Sequence, residues 1–150
     1  MNRPLVSVIM PVYNGEKYIK RAVESVYEQG ISLELLVIDD GSTDGTEEVL
    51  SAYEGREDFR YIKNKENMGA ARSRNLGVQE AVGEYVAFLD ADDWWDRGKL
   101  KEQLGILEKT GLVMCSTGRE LMKADGSDTG RYIPVREKIR YRDLLKHNCI

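Results

Sequence analysis

Four short apolar runs set the terms on which this chain can fold. L-V-S-V-I-M (residues 5–10), L-E-L-L-V-I (33–38), F-R-Y-I (59–62) and Y-V-A-F-L (85–89) are strand-length and rich in β-branched or aromatic residues. The stretches between them have another period. In E-K-Y-I-K-R-A-V-E-S-V-Y-E-Q, the residues Ile19, Ala22, Val23, Val26 and Tyr27 fall on one helical face, with Asn14 placed as N-cap and Gly30 as stop. S-T-D-G-T-E-E-V-L, after the second run, has the hydroxyl and acidic residues of a helix start. Residues 69–82 are predicted as a helix rich in small residues, and 99–109 as a helix using Leu100, Leu104 and Leu107. Pro11 is expected to close the first strand, and residues 112–115 to form a last one. Such alternation predicts an α/β fold, a mostly parallel sheet with helices on both faces.

Bulk properties narrow the function. With 150 residues, 41% of them hydrophobic and 32% charged, the chain reads as one ordinary soluble domain able to bury a core. A formal charge of -4 offers no overall footprint for nucleic acid or an anionic membrane, so any anion must be held locally. Cys115 and Cys149 have neither metal-type spacing nor the number for a disulfide framework, which favours a reducing compartment. No apolar run approaches the ~20 residues of a membrane span, and M-N-R-P-L-V-S-V lacks the layout of a signal peptide. After Thr117 the pattern weakens: A-D-G-S-D reads as a turn and residues 141–147 as a brief helix.

In a parallel sheet, ligands sit beyond the carboxyl ends of the strands. The distinctive polar residues occur there: Tyr13 and Asn14 after the first run, Asp39 and Asp40 after the second, and Asp90, Asp92 and Asp93 after the run ending at Leu89. Acids crowded in D-A-D-D repel one another unless a cation meets them, and hard oxygen ligands without His or Cys select Mg²⁺ or Mn²⁺ over zinc. Mg²⁺ is typically shared between one or two carboxylates and substrate phosphates. The alternative is that Asp92, Asp93 and Asp96 cap the helix near Lys99. Asp39 or Asp40 can accept an N–H from a nucleobase, or D-D-G-S-T-D can be an Asx-type turn. In N-M-G-A-A-R-S-R-N (67–75), small residues allow close approach and Arg72 and Arg74 offer forks of donors, or the small residues serve helix packing. No dinucleotide or phosphate-loop glycine pattern is present. Trp94 and Trp95 read as packing anchors, and His147 as a helix-end residue.

Taken together, P-V-Y-N (11–14), V-I-D-D-G-S-T-D (37–44), N-x-G ending in R-N (67–75) and F-L-D-A-D-D (88–93) resemble the family 2 glycosyltransferases of GT-A fold. The motifs stand in the family's order over most of the first hundred residues. The resemblance implies a nucleotide-sugar donor, usually a UDP-sugar, a Mg²⁺ or Mn²⁺ ion, inversion at the anomeric carbon and a role in polysaccharide biosynthesis. Donor contacts carried over by position are Pro11, Val12, Tyr13, Asn14, Glu16, Asp40, Gly69, Arg74, Asp90 and Ala91. Tyr13 would lie against the base, Asp40 and Arg74 would read its edge, Asn14 and Glu16 would lie near the nucleoside, and Asp90 would face the ribose or sugar. Asp92, last acid of the D-x-D motif, would ligate the metal. Residues 1–117 are thus expected to form the donor-binding core, and 118–150 the truncated start of an acceptor region, with the general base beyond Ile150. The implied acceptor is a saccharide or a lipid-linked one, and the implied site of action is the cytoplasm or the cytoplasmic face of the membrane, reached through regions outside this sequence.

Two rivals share parts of this pattern. A non-catalytic, Mg²⁺-binding receiver domain requires a Lys after a late strand, where this chain has Gly118. A nucleotidyltransferase requires a glycine-rich basic loop after strand one, where this chain has P-V-Y-N-G-E.

Overall fold

The computed structural model describes residues 3–123 and 125–135; the brief helix expected at 141–147, His147 and Cys149 lie outside them. The chain divides into two compact units, Met1–Lys101 and Glu102–Ile150.

The first unit is built on four parallel strands: β1 (Val6–Val12), β2 (Leu33–Asp39), β3 (Phe59–Lys63) and β4 (Tyr85–Phe88), in the order β3-β2-β1-β4. Every residue of β1 and β2 is buried, which requires cover on both faces and explains why their sequences are nearly unbroken apolar runs. The connections are α1 (Ile19–Tyr27), the short α2 (Thr46–Leu50) with a following 3-10 turn, and α3 (Ala70–Glu80). On one face Ile9, Leu36 and Ile38 form a core cluster with Ile62 and Leu76 against it. Here α3 comes so near that a Cβ on Gly77 would stand 2.4 Å from Ile9 Cγ2. On the other face α1 begins beside Val12 and buries Ile19, Ala22, Val23 and Val26, as their spacing predicts.

Two local expectations are corrected. Pro11 lies inside β1, in register with Ile38. Ile9 O accepts from Leu89 N on the β4 side, so Pro11, two residues on, turns its missing N–H to that same side, past the end of the β4 ladder. Asn14 does not cap α1, whose N-cap is Tyr18 without a side-chain bond.

A buried acid interrupts the apolar run of β2 near its start. Glu34 of β2 accepts from Ser7 Oγ and from Val82 N, while Gly83 N donates to Ser7 Oγ. Arg60 lies 4.0 Å from Glu34 and also bonds the carbonyl and carboxylate of Glu80. These bonds tie the α3–β4 corner to β1, β2 and β3.

In the second unit, β5 (Arg119–Met122) and β6 (Asp128–Ile133) form an antiparallel hairpin. A turn at Asp125 and Gly126 falls within the predicted stretch, but its flanking strands escape a search for apolar runs because they are short and largely exposed. Residues 112–115, expected as a strand, form no strand pairing among the described residues; Leu112, Val113 and Met114 are exposed. Between β4 and the hairpin in sequence lies α4 (Lys99–Thr110); of the three leucines expected on its inner face, Leu100 and Leu104 are buried and Leu107 is half-buried.

Candidate functional site

Because all four strands run the same way, the residues after β1, β2 and β4 emerge at one end of the sheet. A cleft of about 380 Å³ opens there. Pro11, Val12, Tyr13, Asn14, Asp40, Arg74, Asp90, Ala91 and Asp92 line it, nine of the residues singled out in the sequence.

The two acids ending β2 have separate jobs. Asp39 is fully buried, its carboxylate accepting from Ser42 N three residues on at 2.7 Å, which closes the D-D-G-S turn, and from the Tyr61 hydroxyl at 2.5 Å. Asp40 enters the cleft. Its Oδ1 accepts from Asn64 Nδ2 at 2.8 Å and Met68 N at 3.0 Å, and its Oδ2 from Gly69 N at 2.7 Å. Burial pushes the Asp40 carboxyl up, but these donors and Ser73 outweigh it and hold the group below the ordinary carboxylate range. Asp40 is therefore an anion at neutral pH, a committed acceptor. Gly69 reaches it at φ +91°, a conformation side chains disfavour, which accounts for the glycine of N-M-G.

Across the cleft, Arg74 of α3 donates to Asp90 Oδ1. Asp92 lies two residues on, beside the buried Ala91. Among the described residues no three of His, Cys, Asp and Glu are grouped so as to hold a metal by themselves. Beyond the acids, the Trp95 side chain is buried and the residue's backbone N–H donates to Ser25 Oγ, while Arg21 stacks 3.3 Å over the half-buried ring of Trp94. Leu100 N at the start of α4 meets Gln29 Oε1.

The floor of the cleft is two loops laced together. Asn14 N donates to Ser42 Oγ and Gly15 N to Thr46 Oγ1, while Asn14 Oδ1 accepts from Thr43 N. Asn14 takes φ +52°, which asparagine tolerates better than most residues. Glu16 does not line the cleft: its carboxylate accepts from Gly45 N and its own N–H donates to Asp44. Gly69 likewise acts through Asp40 instead of lining the cleft.

Gly15, Tyr18, Asn67 and Ala70 line the cleft and were not singled out as binding residues from the sequence. Asn67 and Ala70 sit inside the quoted N-x-G stretch, so a signal existed; Tyr18 reads in sequence only as part of a helix. A depression of about 390 Å³ at the other end of the sheet is lined by Tyr27, Ile31, Ser32, Leu33, Arg56 and Asp58. There Arg56 is already paired with Asp58 through two bonds, and no group of acids converges on it.

A four-stranded parallel sheet flanked by helices, with its polar residues gathered at the carboxyl end, has the architecture of a GT-A-type α/β fold. Residues 7–149 match the profile of glycosyl transferase family 2, and the chain belongs to that family. It is 41% identical to a Bacillus subtilis protein provisionally named teichuronic acid biosynthesis glycosyltransferase TuaG, over 99% of this chain and 60% of that one. It is 37% identical to the Escherichia coli UDP-Glc:alpha-D-GlcNAc-diphosphoundecaprenol beta-1,3-glucosyltransferase WfgD, over 99% of this chain and 58% of that one. The chain thus spans about three fifths of the length of these relatives. Among solved structures it resembles S. aureus TarS in complex with UDP-GlcNAc, with TM-score 0.69 and 30% identity over 86% of this chain and 36% of that one. It also resembles the mannosyltransferase PcManGT of Pyrobaculum calidifontis in complex with GDP-Man and Mn2+, with TM-score 0.64 and 33% identity over 71% of this chain and 33% of that one.

Proposed function

We propose that this chain is the donor-binding part of an inverting glycosyltransferase that moves a sugar from a nucleotide-diphosphate sugar, with UDP as the nucleotide, to an acceptor hydroxyl. The observation that carries the proposal is the convergence of Tyr13, Asp40, Arg74, Asp90 and Asp92 on one cleft. In this reading the half-exposed ring of Tyr13 lies against the base, Asp40 accepts an N–H from the base edge, and Arg74 donates to a base carbonyl. Arg74 would exchange its bond to Asp90 for the base as Asp90 turns to a ribose hydroxyl.

The donor set fits a hard divalent cation of incomplete protein coordination. Asp92 would supply an oxygen, and diphosphate oxygens and water the rest, with Asp90 left to the ribose or sugar. When bound, Mg²⁺ or Mn²⁺ neutralises charge developing on the departing diphosphate. Asp92 holds that cation, and the laced loops keep Tyr13 and Asn14 in place around the donor. The base that takes the acceptor's proton is assigned to a residue outside this cleft, since the cleft acids Asp40, Asp90 and Asp92 all have other tasks here. The names of the relatives support a saccharide or lipid-linked acceptor in polysaccharide synthesis. None of the described helices is long and apolar enough to cross a membrane, and action at the cytoplasmic membrane face would depend on other parts of the protein.

Calorimetric titration of UDP with Mn²⁺, with chelator and with Asp92→Asn tests the reading. Binding that requires the metal and weakens at least ten-fold in Asp92→Asn is the expected result. Absence of UDP binding alongside tight GDP or dTDP binding would move the proposal to another nucleotide, and failure of all three would refute it.

A further inference from the structure

Asp40 cannot select a base merely by being acidic. A carboxylate free to rotate or to take up a proton would accept from one base and donate to another. What makes it selective is whatever fixes its two oxygens, and one of those groups is a side chain that neither the sequence reading nor the cleft lining singles out.

Asn64 follows β3 directly. Its backbone N–H donates to the Asp39 carbonyl at 2.7 Å, which seats it across the end of β2. Its amide nitrogen donates to Asp40 Oδ1 at 2.8 Å and reaches Ser73 Oγ, fully buried on α3, at 3.4 Å. Both amide hydrogens are therefore engaged, and the amide cannot turn its carbonyl toward the carboxylate without losing both partners. With Met68 N also on Oδ1, that oxygen has two donors within hydrogen-bond distance, while Oδ2 has Gly69 N; the Ser73 hydroxyl supports the carboxylate and accepts from the Asn64 amide. An ionised carboxylate has about four acceptor positions, so the one left is on Oδ2.

We propose that Asn64 is a positioning residue for nucleobase choice: by filling Oδ1 it leaves Asp40 a single acceptor on Oδ2, which admits a pyrimidine with a ring N–H and rejects one with a ring acceptor. Uracil presents N3–H at its pairing edge, whereas cytosine presents a bare N3, and two facing acceptors repel. A site built around a hydrogen bond rejects a partner that cannot make it more strongly than an apolar pocket does, because its buried group is left unpaired. The inference rests on the reading that Asp40 meets the base.

The test is calorimetry of UDP and CDP, both with Mn²⁺, on the chain and on Asn64→Leu, a near-isosteric change without donors. The two ligands share the diphosphate, so their affinity ratio reports the base alone. The unmodified chain is expected to prefer UDP by at least about ten-fold, equivalent to about 1.4 kcal/mol. In Asn64→Leu the ratio is expected to fall below about three-fold, chiefly through lost UDP affinity. Should that variant not fold by circular dichroism, Asn64→Ser, too short to reach Asp40, takes its place with the same expectation. A variant that keeps the ratio, whether both affinities hold or both drop together, overturns the role of Asn64 and leaves the donor-site reading standing. An unmodified chain that prefers neither UDP nor GDP, whose guanine also carries a ring N–H, over CDP overturns the reading of Asp40 and this inference with it.

Discussion

Gly77 has no side chain because Ile9 leaves no room for one. An added Cβ would stand 2.4 Å from Cγ2 and 3.1 Å from Cγ1 of a fully buried isoleucine. Gly77→Ala is expected to destabilise by about 1–3 kcal/mol through overpacking, against a helix-propensity gain of at most about 1 kcal/mol; urea unfolding measures the difference, and a more stable variant would show that the α3 packing is looser than described. Tyr61 makes a different kind of contact. Tyr61→Phe leaves Asp39 Oδ2 without its hydroxyl donor inside a buried turn, and a loss of about 1–3 kcal/mol is expected by the same method. The Asp39–Asp40 pair also marks a limit of reading residues from sequence. Two adjacent acids at a strand end admit both a turn and a binding role, and side-chain alternation along the chain assigns one to each. Which acid turns inward depends on the register of β2 against β1 and β3.

Glu34 holds the α3–β4 corner to the sheet through its bonds to Ser7 and Val82. Glu34→Ala would leave the Val82 N–H without its acceptor, deprive Ser7 Oγ of its partner and remove the acid beside Arg60. The expected cost is about 2–4 kcal/mol in chemical denaturation, and a cost under about 0.5 kcal/mol would show that the network is dispensable. Elements were most legible where burial is two-sided. β1 and β2 announce themselves because a strand covered on both faces must be apolar throughout. β5 and β6 did not, since a largely exposed hairpin carries little hydrophobic period and rests on pairing. Residues 112–115 show the converse: an apolar run supplies the composition of a strand but not the partner that makes it one. Pro11 misled for a related reason, its missing N–H mattering only on a side where a neighbour bonds, and there β4 has already ended.

Across the molecule, pH acts through the loops that build the cleft. Burial raises the Asp44 carboxyl, but bonds from Thr46 and Glu16 N outweigh it and hold the group below its ordinary value; Asp40 is held low in the same manner. Groups whose folded pKa is depressed contribute stability that is complete above the ordinary value of 3.8 and is lost as pH falls through the lower folded values. Melting temperature is therefore expected to change little from about pH 8 to 5 and to fall steeply below about pH 4. Asp44→Asn should flatten that acid limb, and thermal melts showing an unchanged slope would remove Asp44 from the account. The alternation of runs and periods was enough to determine a parallel α/β sheet and hence the end at which polar residues gather, because burial and chain direction are local consequences of pattern. Local pattern could not say that Glu16 bonds Gly45 away from the cleft or that Asn64 reaches Asp40, twenty-four residues behind it. Those contacts exist only once separate strands have paired in register and brought their loops within hydrogen-bond distance.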